Sequence, residues 1–400
     1  MTDEIKLTEQ DIEDLFEAED SEDSTFAEVA AAADDSQSID KKYAESQLRI
    51  VRSTIDFPLN TLRVSLADDD YINMAPSYQR RARWTASKRS QLIESLLMNI
   101  PVPPIFLFEN EYNRYEVMDG RQRLEAIRDY LNDGFPLRSL EYWKELQGRR
   151  FSKLPETLQR GLLRRTLTAF VLLAETRGTL DNSFDVRMAL FKRLNTGGIN
   201  LNAQELRNAL YPGPFNKLLA ALARSNLFTL VWQIPPYTEG EEDNPPQKLV
   251  RNPLYKTMAD CQLVLRFFAV REAYVDERIH SLGDMLDSCM RRHAGDGEPE
   301  LHELEVLFTT TLKQLYDLFG DSTFVLSNSG KLSTPLYEAL MVGRSLLPDH
   351  DASTDSDSVI EKLNNIVRQE SDDYDLLINR ANTAESMRNR IGLAMNVLKA

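Results

Sequence analysis

Asp119, Gly120, Arg121 and Arg123 set an acid, a glycine and two cations side by side in the run Tyr115-Glu116-Val117-Met118-Asp119-Gly120-Arg121-Gln122-Arg123-Leu124. An alternating apolar stretch ends at Asp-Gly, and an amphipathic helical pattern begins at once. A glycine at such a junction lets the backbone approach a ligand, and the helix start offers N–H groups and the positive end of a dipole. That dipole disfavours cations in the first turn, where Arg121 and Arg123 fall. Cations gathered at a site already positive suit an anion, most simply a phosphate. The same letters also describe a hairpin strand that turns into a helix with both arginines solvated. Short glycine-containing motifs match widely, so the string alone leaves both readings open.

The elements that must position this turn can be read on either side of it. Leu48 to Val51 and Thr61 to Leu66 have the texture of short strands, and Tyr78 to Trp84 is a loop crowded with cations around an aromatic. A helix capped near Thr85 or Ser87 should follow, with Leu92, Ile93, Leu96 and Leu97 on one face and Pro101 as its stop. Ile105 to Phe108 and Tyr115 to Val117 read as a hairpin joined by Glu109 to Arg114, and Leu167 to Leu173 as a further strand. Val186 to Leu194 has helical periodicity and stops at Asn195-Thr196-Gly197-Gly198. Asn202 then caps a helix from Ala203 to Tyr211, with Glu205 placed for a capping box. Beyond Pro214 the apolar periodicity is helical throughout: Phe215–Leu227, Lys256–Tyr274, Leu301–Phe319, Pro335–Leu347, Val359–Arg368 and Ala384–Leu398. The expected architecture is mixed α/β (α+β), a small mixed sheet with packed helices followed by an all-helical half. The boundaries expected are an acidic disordered tail over residues 1–45, a sheet-bearing domain over 46–214 and a helical domain over 215–400.

Composition bounds the function. The formal charge of −16 is unevenly spread: residues 1–40 carry −14, residues 41–217 carry +8 and residues 218–400 carry −10. A moderately basic body between acidic flanks suits a phosphate-bearing partner, nucleotide or DNA, although solvated arginines would give the same count. Within the acidic tail, Ile12 to Phe16 could form an amphipathic turn on a partner, or the tail could shield the basic body. No apolar run is long enough for a membrane span and no signal peptide opens the chain. Cys261 and Cys289 give neither a disulfide framework nor a zinc spacing, so a reducing cytoplasm is the expected home.

Several separate motifs agree in order and spacing over residues 45–270. They are Tyr78-Gln79-Arg80 with Trp84, Glu94-Ser95-Leu96-Leu97 followed by Ile100-Pro101-Val102-Pro103, and Asp119-Gly120-Arg121-Gln122-Arg123-Leu124. Phe191-Lys192-Arg193-Leu194-Asn195-Thr196-Gly197-Gly198, Leu201-Asn202-Ala203-Gln204-Glu205-Leu206-Arg207-Asn208 and, more weakly, Asp260 to Phe268 continue the pattern. In these the chain resembles the N-terminal domain family of GmrSD-type restriction endonucleases, whose core is ParB/sulfiredoxin-like. The family's Asp-Gly-Gln-Gln-Arg signature stands here with Arg121 in place of the first glutamine. The resemblance implies nucleoside triphosphate binding, hydrolysis in some members, and a place in prokaryotic defence against foreign or modified DNA. Members often carry a fused nuclease of the HNH type, but His280, His293, His302 and His350 fit no such spacing. A nuclease of that chemistry is therefore not expected in this chain, and a separately encoded effector or nuclease subunit would be its partner.

On this reading Arg80 and Arg123 would hold phosphates, with the Gly120 and Arg121 amides closing the cradle. Asp119 would hold Mg²⁺ or orient the attacking water. Gln79, Asn195, Thr196, Gly197, Gln204 and Glu205 complete the expected nucleotide contacts. Each has a plainer alternative: an Asx-turn for Asp119, helix termination for Asn195 to Gly198, and packing rather than base stacking for Trp84. Two non-enzymatic classes stay open as well. One is a DNA-binding regulator using Arg80, Arg81, Arg83, Lys88 and Arg89 on a phosphate backbone. The other is a scaffold that senses a nucleotide and signals to an effector through its helical half.

Overall fold

A computed structural model describes residues 12, 16, 52–68, 71–74, 84–173, 202–211, 213–242, 245–279, 281–368, 372–378 and 384–399. These fall into two compact units, one carrying the sheet within residues 34–201, the other combining residues 1–33 with 202–400. The expected strand at Leu48 to Val51 and helix at Val186 to Leu194 lie outside the described residues.

The sheet unit runs β1 (Arg52–Pro58), α1 (Leu59–Ser65), β2 (Ile72–Asn73), α2 (Ala86–Leu97), β3 (Ile105–Glu111), β4 (Arg114–Asp119), α3 (Arg121–Leu131), α4 (Glu156–Leu163) and β5 (Thr166–Leu172). Its five-stranded sheet has the order β1-β5-β3-β4-β2. β1 is antiparallel to β5, β5 parallel to β3, β3 antiparallel to β4 and β4 parallel to β2, so the sheet is mixed. The central strands are the most apolar: Ile105, Leu107, Leu167, Ala169 and Val171 are buried, and they meet Leu124 and Ile127 of α3 and Ile93 and Leu96 of α2 in one core. β1 sits on an edge and buries chiefly Phe57, which is why its sequence Arg-Ser-Thr-Ile-Asp-Phe-Pro carries little strand signal.

Thr61 to Leu66 is helical, not extended, which corrects the expectation from its β-branched residues. Leu59, Leu62 and Leu66 are buried at helical spacing whereas Val64 faces solvent, so core packing at i, i+3 and i+7 overrides local strand preference. The start of α2 is as the sequence predicts, with the Thr85 hydroxyl accepting from the Lys88 amide at 3.3 Å. Its far end is closed from a distance, by Arg165 donating to the Leu96 and Leu97 carbonyls.

The helical unit consists of α5 (Ala203–Leu210), α6 (Pro214–Ala223), α7 (Asn226–Val231), α8 (Gln247–Arg251), α9 (Pro253–Lys256), α10 (Ala259–Val275), α11 (Leu282–Arg292) and α12 (Glu298–Phe319). A two-stranded ribbon of β6 (Val325–Leu326) and β7 (Lys331–Leu332) leads to α13 (Thr334–Leu346), α14 (Ser356–Arg368), α15 (Asp372–Ile378) and α16 (Ala384–Leu398). α10 is buried over most of its circumference, as expected for a helix apolar on every side. Phe267 and Phe268 of α10 and Phe308 of α12 meet Phe228, Trp232 and Tyr337 in a cluster of tilted and edge-on rings. The Asn202 cap and its reciprocal Glu205 bond form the capping box that the spacing predicts. Ile12 and Phe16 are helical, and Ile12 is buried in this unit. Among the described residues no helix is long and apolar enough to cross a membrane.

Candidate functional site

The junction of β4 and α3 carries four of the residues expected at a site, Asp119, Gly120, Arg121 and Arg123. β3 and β4 pair so that Phe106 opposes Asp119, which brings the next residue, Gly120, against Ile105. Gly120 caps α3 with φ +95°, a left-handed conformation. A Cβ there would lie 2.3 Å from Ile105 Cγ2 and 2.9 Å from Arg123 Nη2, so the position has neither backbone nor space for a side chain. The intrahelical ladder of α3 begins with the Leu124 amide on the Gly120 carbonyl at 3.0 Å, and the amides of the preceding turn point out of the helix end.

The cations of the turn are already engaged. Arg123 Nη2 donates to Asp119 Oδ2 at 2.7 Å and to the Pro104 carbonyl at 3.2 Å, while its buried Nε–H finds no acceptor. Arg121 Nε donates to Glu125 Oε1 at 2.8 Å, an i,i+4 pair along α3. Asp119 is 39% exposed against 14% for Arg123, so the carboxylate is the accessible member and the guanidinium the anchored one. A pair this exposed contributes about 1 kcal/mol or less, and exchanging it for a ligand costs little.

Beside the turn, α2 and α3 leave a cleft of about 90 Å³ lined by Trp84, Arg89, Gln122, Glu125, Arg128 and Asp129. Lys88 Nζ lies 4.9 Å from the centre of the Trp84 ring. Arg89 is tied down, donating to Asp129 Oδ2 at 2.6 Å with its guanidinium 4.1 Å from the centre of the Phe135 ring. Of the basic residues suited to a nucleic-acid backbone, Lys88 is therefore exposed and Arg89 is structural; Arg80, Arg81 and Arg83 lie outside the described residues.

Glu94 is a motif residue whose role only the fold reveals. It is buried on α2, and its carboxylate accepts the amides of Glu141 (3.1 Å), Tyr142 (2.8 Å) and Trp143 (2.8 Å). Burial by itself would raise its pKa, but the three amide donors outweigh it and hold the carboxyl below its usual range. Glu94 thus fixes the loop after α3, with Ser90 Oγ accepting the Arg138 amide beside it. No local sequence signal marks this, because donors and acceptor stand far apart in the chain.

The remaining expected contacts divide. Gln79, Asn195, Thr196 and Gly197 lie outside the described residues. Gln204 and Glu205 belong to the helical unit: Gln204 is fully buried and donates to Asn208 Oδ1 at 2.9 Å, and Glu205 accepts the Asn202 amide at 3.1 Å. In the same helix Arg207 is buried against Asp287 at 2.7 Å. Asp119, Gly120, Arg121 and Arg123 are thus the part of the expected site that the structure brings together.

Comparison with known proteins adds one finding: residues 64–212 match the family model of the GmrSD restriction endonuclease, N-terminal domain. The matched span starts inside α1, contains the β4–α3 turn and ends just after α5. No curated protein and no solved structure matches the chain.

Proposed function

We propose, from the match of residues 64–212 to the family model of the GmrSD restriction endonuclease N-terminal domain, that this chain is the nucleotide-handling component of a restriction-type defence system. The β4–α3 turn would bind the phosphates of a nucleoside triphosphate. The observation that supports this reading is the left-handed Gly120 at the start of α3, which lets Ile105 and the Arg123 guanidinium close against the turn and so sets that cation beside the first-turn amides, where an oxyanion can dock.

The chemistry has one internal demand. A phosphate arriving at this turn meets the accessible Asp119 carboxylate, and two anions in contact repel unless a cation lies between them. One carboxylate plus phosphate oxygens is a usual ligand set for Mg²⁺, so Asp119 fits as its holder, and the ion would neutralise charge on the phosphates. Arg123, now shared between Asp119 and Pro104, would turn its guanidinium to the phosphate, and its Nε–H would gain the acceptor it lacks. Trp84 and Gln122 line the adjoining cleft and would meet the rest of the nucleotide. Arg80, Gln79 and the Asn195–Gly197 loop would complete the contacts, and the signal would pass to a separately encoded effector or nuclease acting on DNA.

The test is phosphate release from each nucleoside triphosphate with Mg²⁺, for the wild type and Asp119→Ala, beside binding of a non-hydrolysable analogue. Turnover lost in Asp119→Ala with analogue binding kept supports an enzyme. Binding without turnover makes the domain a sensor. Neither, with Arg123→Ala altering only DNA retention, removes the nucleotide from the proposal.

A further inference from the structure

The ends of α10 and α11 bring together side chains that the nucleotide reading does not use. Cys289 and His293 stand four residues apart and so share one face at the end of α11, and Glu272 reaches them from the last turn of α10. One donor atom from each of Glu272, Cys289 and His293 lies within 4.8 Å of the other two. His293 Nε2 is 2.5 Å from Glu272 Oε1, and its Nδ1 is 2.5 Å from Asp296 Oδ2. Arg292 occupies the other Glu272 oxygen at 3.1 Å, leaving Oε1 turned inward. Phe215 packs on the imidazole with ring centres 4.8 Å apart.

We propose that Glu272, Cys289 and His293 form a binding site for a divalent zinc-class cation, with Asp296 orienting His293 from behind. Three arguments carry it. Thiol, imidazole and carboxylate together are a donor set that suits Zn²⁺ and not Mg²⁺ or Ca²⁺. The carboxylate on Nδ1 directs Nε2 toward the other two donors, which is the outer-shell arrangement that zinc-bound histidines need. The i,i+4 spacing of Cys289 and His293 lets one helix supply two ligands without backbone movement. Three protein ligands leave a fourth position for water.

Binding is ligand exchange without redox chemistry. Metal–sulfur, metal–nitrogen and metal–oxygen bonds form, metal-bound waters leave, and protons on Sγ and Nε2 pass to solvent. Bond lengths of about 2.0–2.3 Å put tetrahedral donors roughly 3.5 Å apart, so Glu272 and His293 must part by about 1 Å as the thiol closes in. The competing reading is a metal-free clasp in which the His293 ring bridges Glu272 and Asp296. The ion would staple the end of α10 to the end of α11.

The experiment uses the full chain, stripped with a chelator and titrated with Co²⁺. One ion should bind and produce a thiolate-to-cobalt charge-transfer band, which Zn²⁺ displaces. Cys289→Ser should abolish the band and weaken Zn²⁺ at least tenfold, whereas Cys261→Ser, at the other buried cysteine, should leave both unchanged. Absence of the band in the wild type, as the clasp requires, or its persistence in Cys289→Ser, overturns the proposal. Should Cys289→Ser fail to fold, Asp296→Asn decides: a loss of about tenfold to a hundredfold in Zn²⁺ affinity upholds the site, and unchanged affinity rejects it.

Discussion

Asp119 and Glu94 are both carboxylates of the sheet unit, both fall within the matched family span, and the fold treats them in opposite ways. Glu94 is buried and accepts three backbone amides that come from residues nearly fifty positions away. Asp119 stands at the open end of β4, with one arginine for a partner and more than a third of its side chain in solvent. A buried carboxylate with both oxygens engaged by backbone amides can hold a loop in place but is closed to a metal or a water. One with a single exchangeable partner is open to either. The contrast separates a buried, backbone-bound carboxylate from an accessible one more sharply than residue type does, and it predicts unequal consequences of substitution.

The largest effect should come from Gly120→Ala, which removes the conformation on which the turn depends. A left-handed backbone costs about 1–2 kcal/mol for an L-residue, and overpacking against Ile105 about 1–3 kcal/mol more. Denaturant unfolding should register a total of about 2–5 kcal/mol, and a loss under 1 kcal/mol would mean that Ile105 yields and the turn is looser than described.

Glu94→Gln comes next, at about 1–3 kcal/mol, because an amide cannot satisfy all three N–H donors. Its pH dependence has a definite sign. The folded pKa lies below the usual 4.5, so the carboxylate stabilises the protein above that value and the contribution fades as pH falls through the folded value. Acid unfolding curves of wild type and variant should converge below pH 4.5; curves that stay parallel would remove Glu94 from the scaffold.

Asp119→Ala should leave stability within about 1 kcal/mol, since its ion pair is solvent-screened, while phosphate release falls to background. If the melting temperature fell as far as in Glu94→Gln, the two carboxylates would be alike and the contrast would fail. The smallest change belongs to Arg121→Gln, which removes an i,i+4 pair with Glu125 worth about 0.3–0.5 kcal/mol. Thermal unfolding should barely move, and triphosphate-analogue affinity should drop severalfold through loss of one cation beside the turn.

Much of the fold was legible in local patterns. The β3–β4 hairpin, the Thr85 cap, the Asn202–Glu205 capping box and the last helix from Ala384 to Leu398 all follow from residues within a few positions of one another. Where the signal was lost, the partner was distant. β1 pairs with β5 across more than a hundred residues and carries little apolar alternation. The Thr61–Leu66 stretch holds β-branched residues, yet its leucines answer to the core as a helix. Arg123 reads as a free cation beside a phosphate site, but the fold has anchored it to Asp119 and Pro104.

The amino-acid sequence by itself determined that a glycine-hinged, cation-bearing turn stands between a strand and a helix, because backbone freedom, helix capping and amphipathic period are properties of neighbouring residues. Tertiary structure alone decided that Ile105 closes over that glycine, that Glu94 is scaffold and Asp119 accessible, and that Glu272 meets Cys289 and His293. Those outcomes depend on strand register, helix packing and burial, which bring together groups that the chain keeps apart.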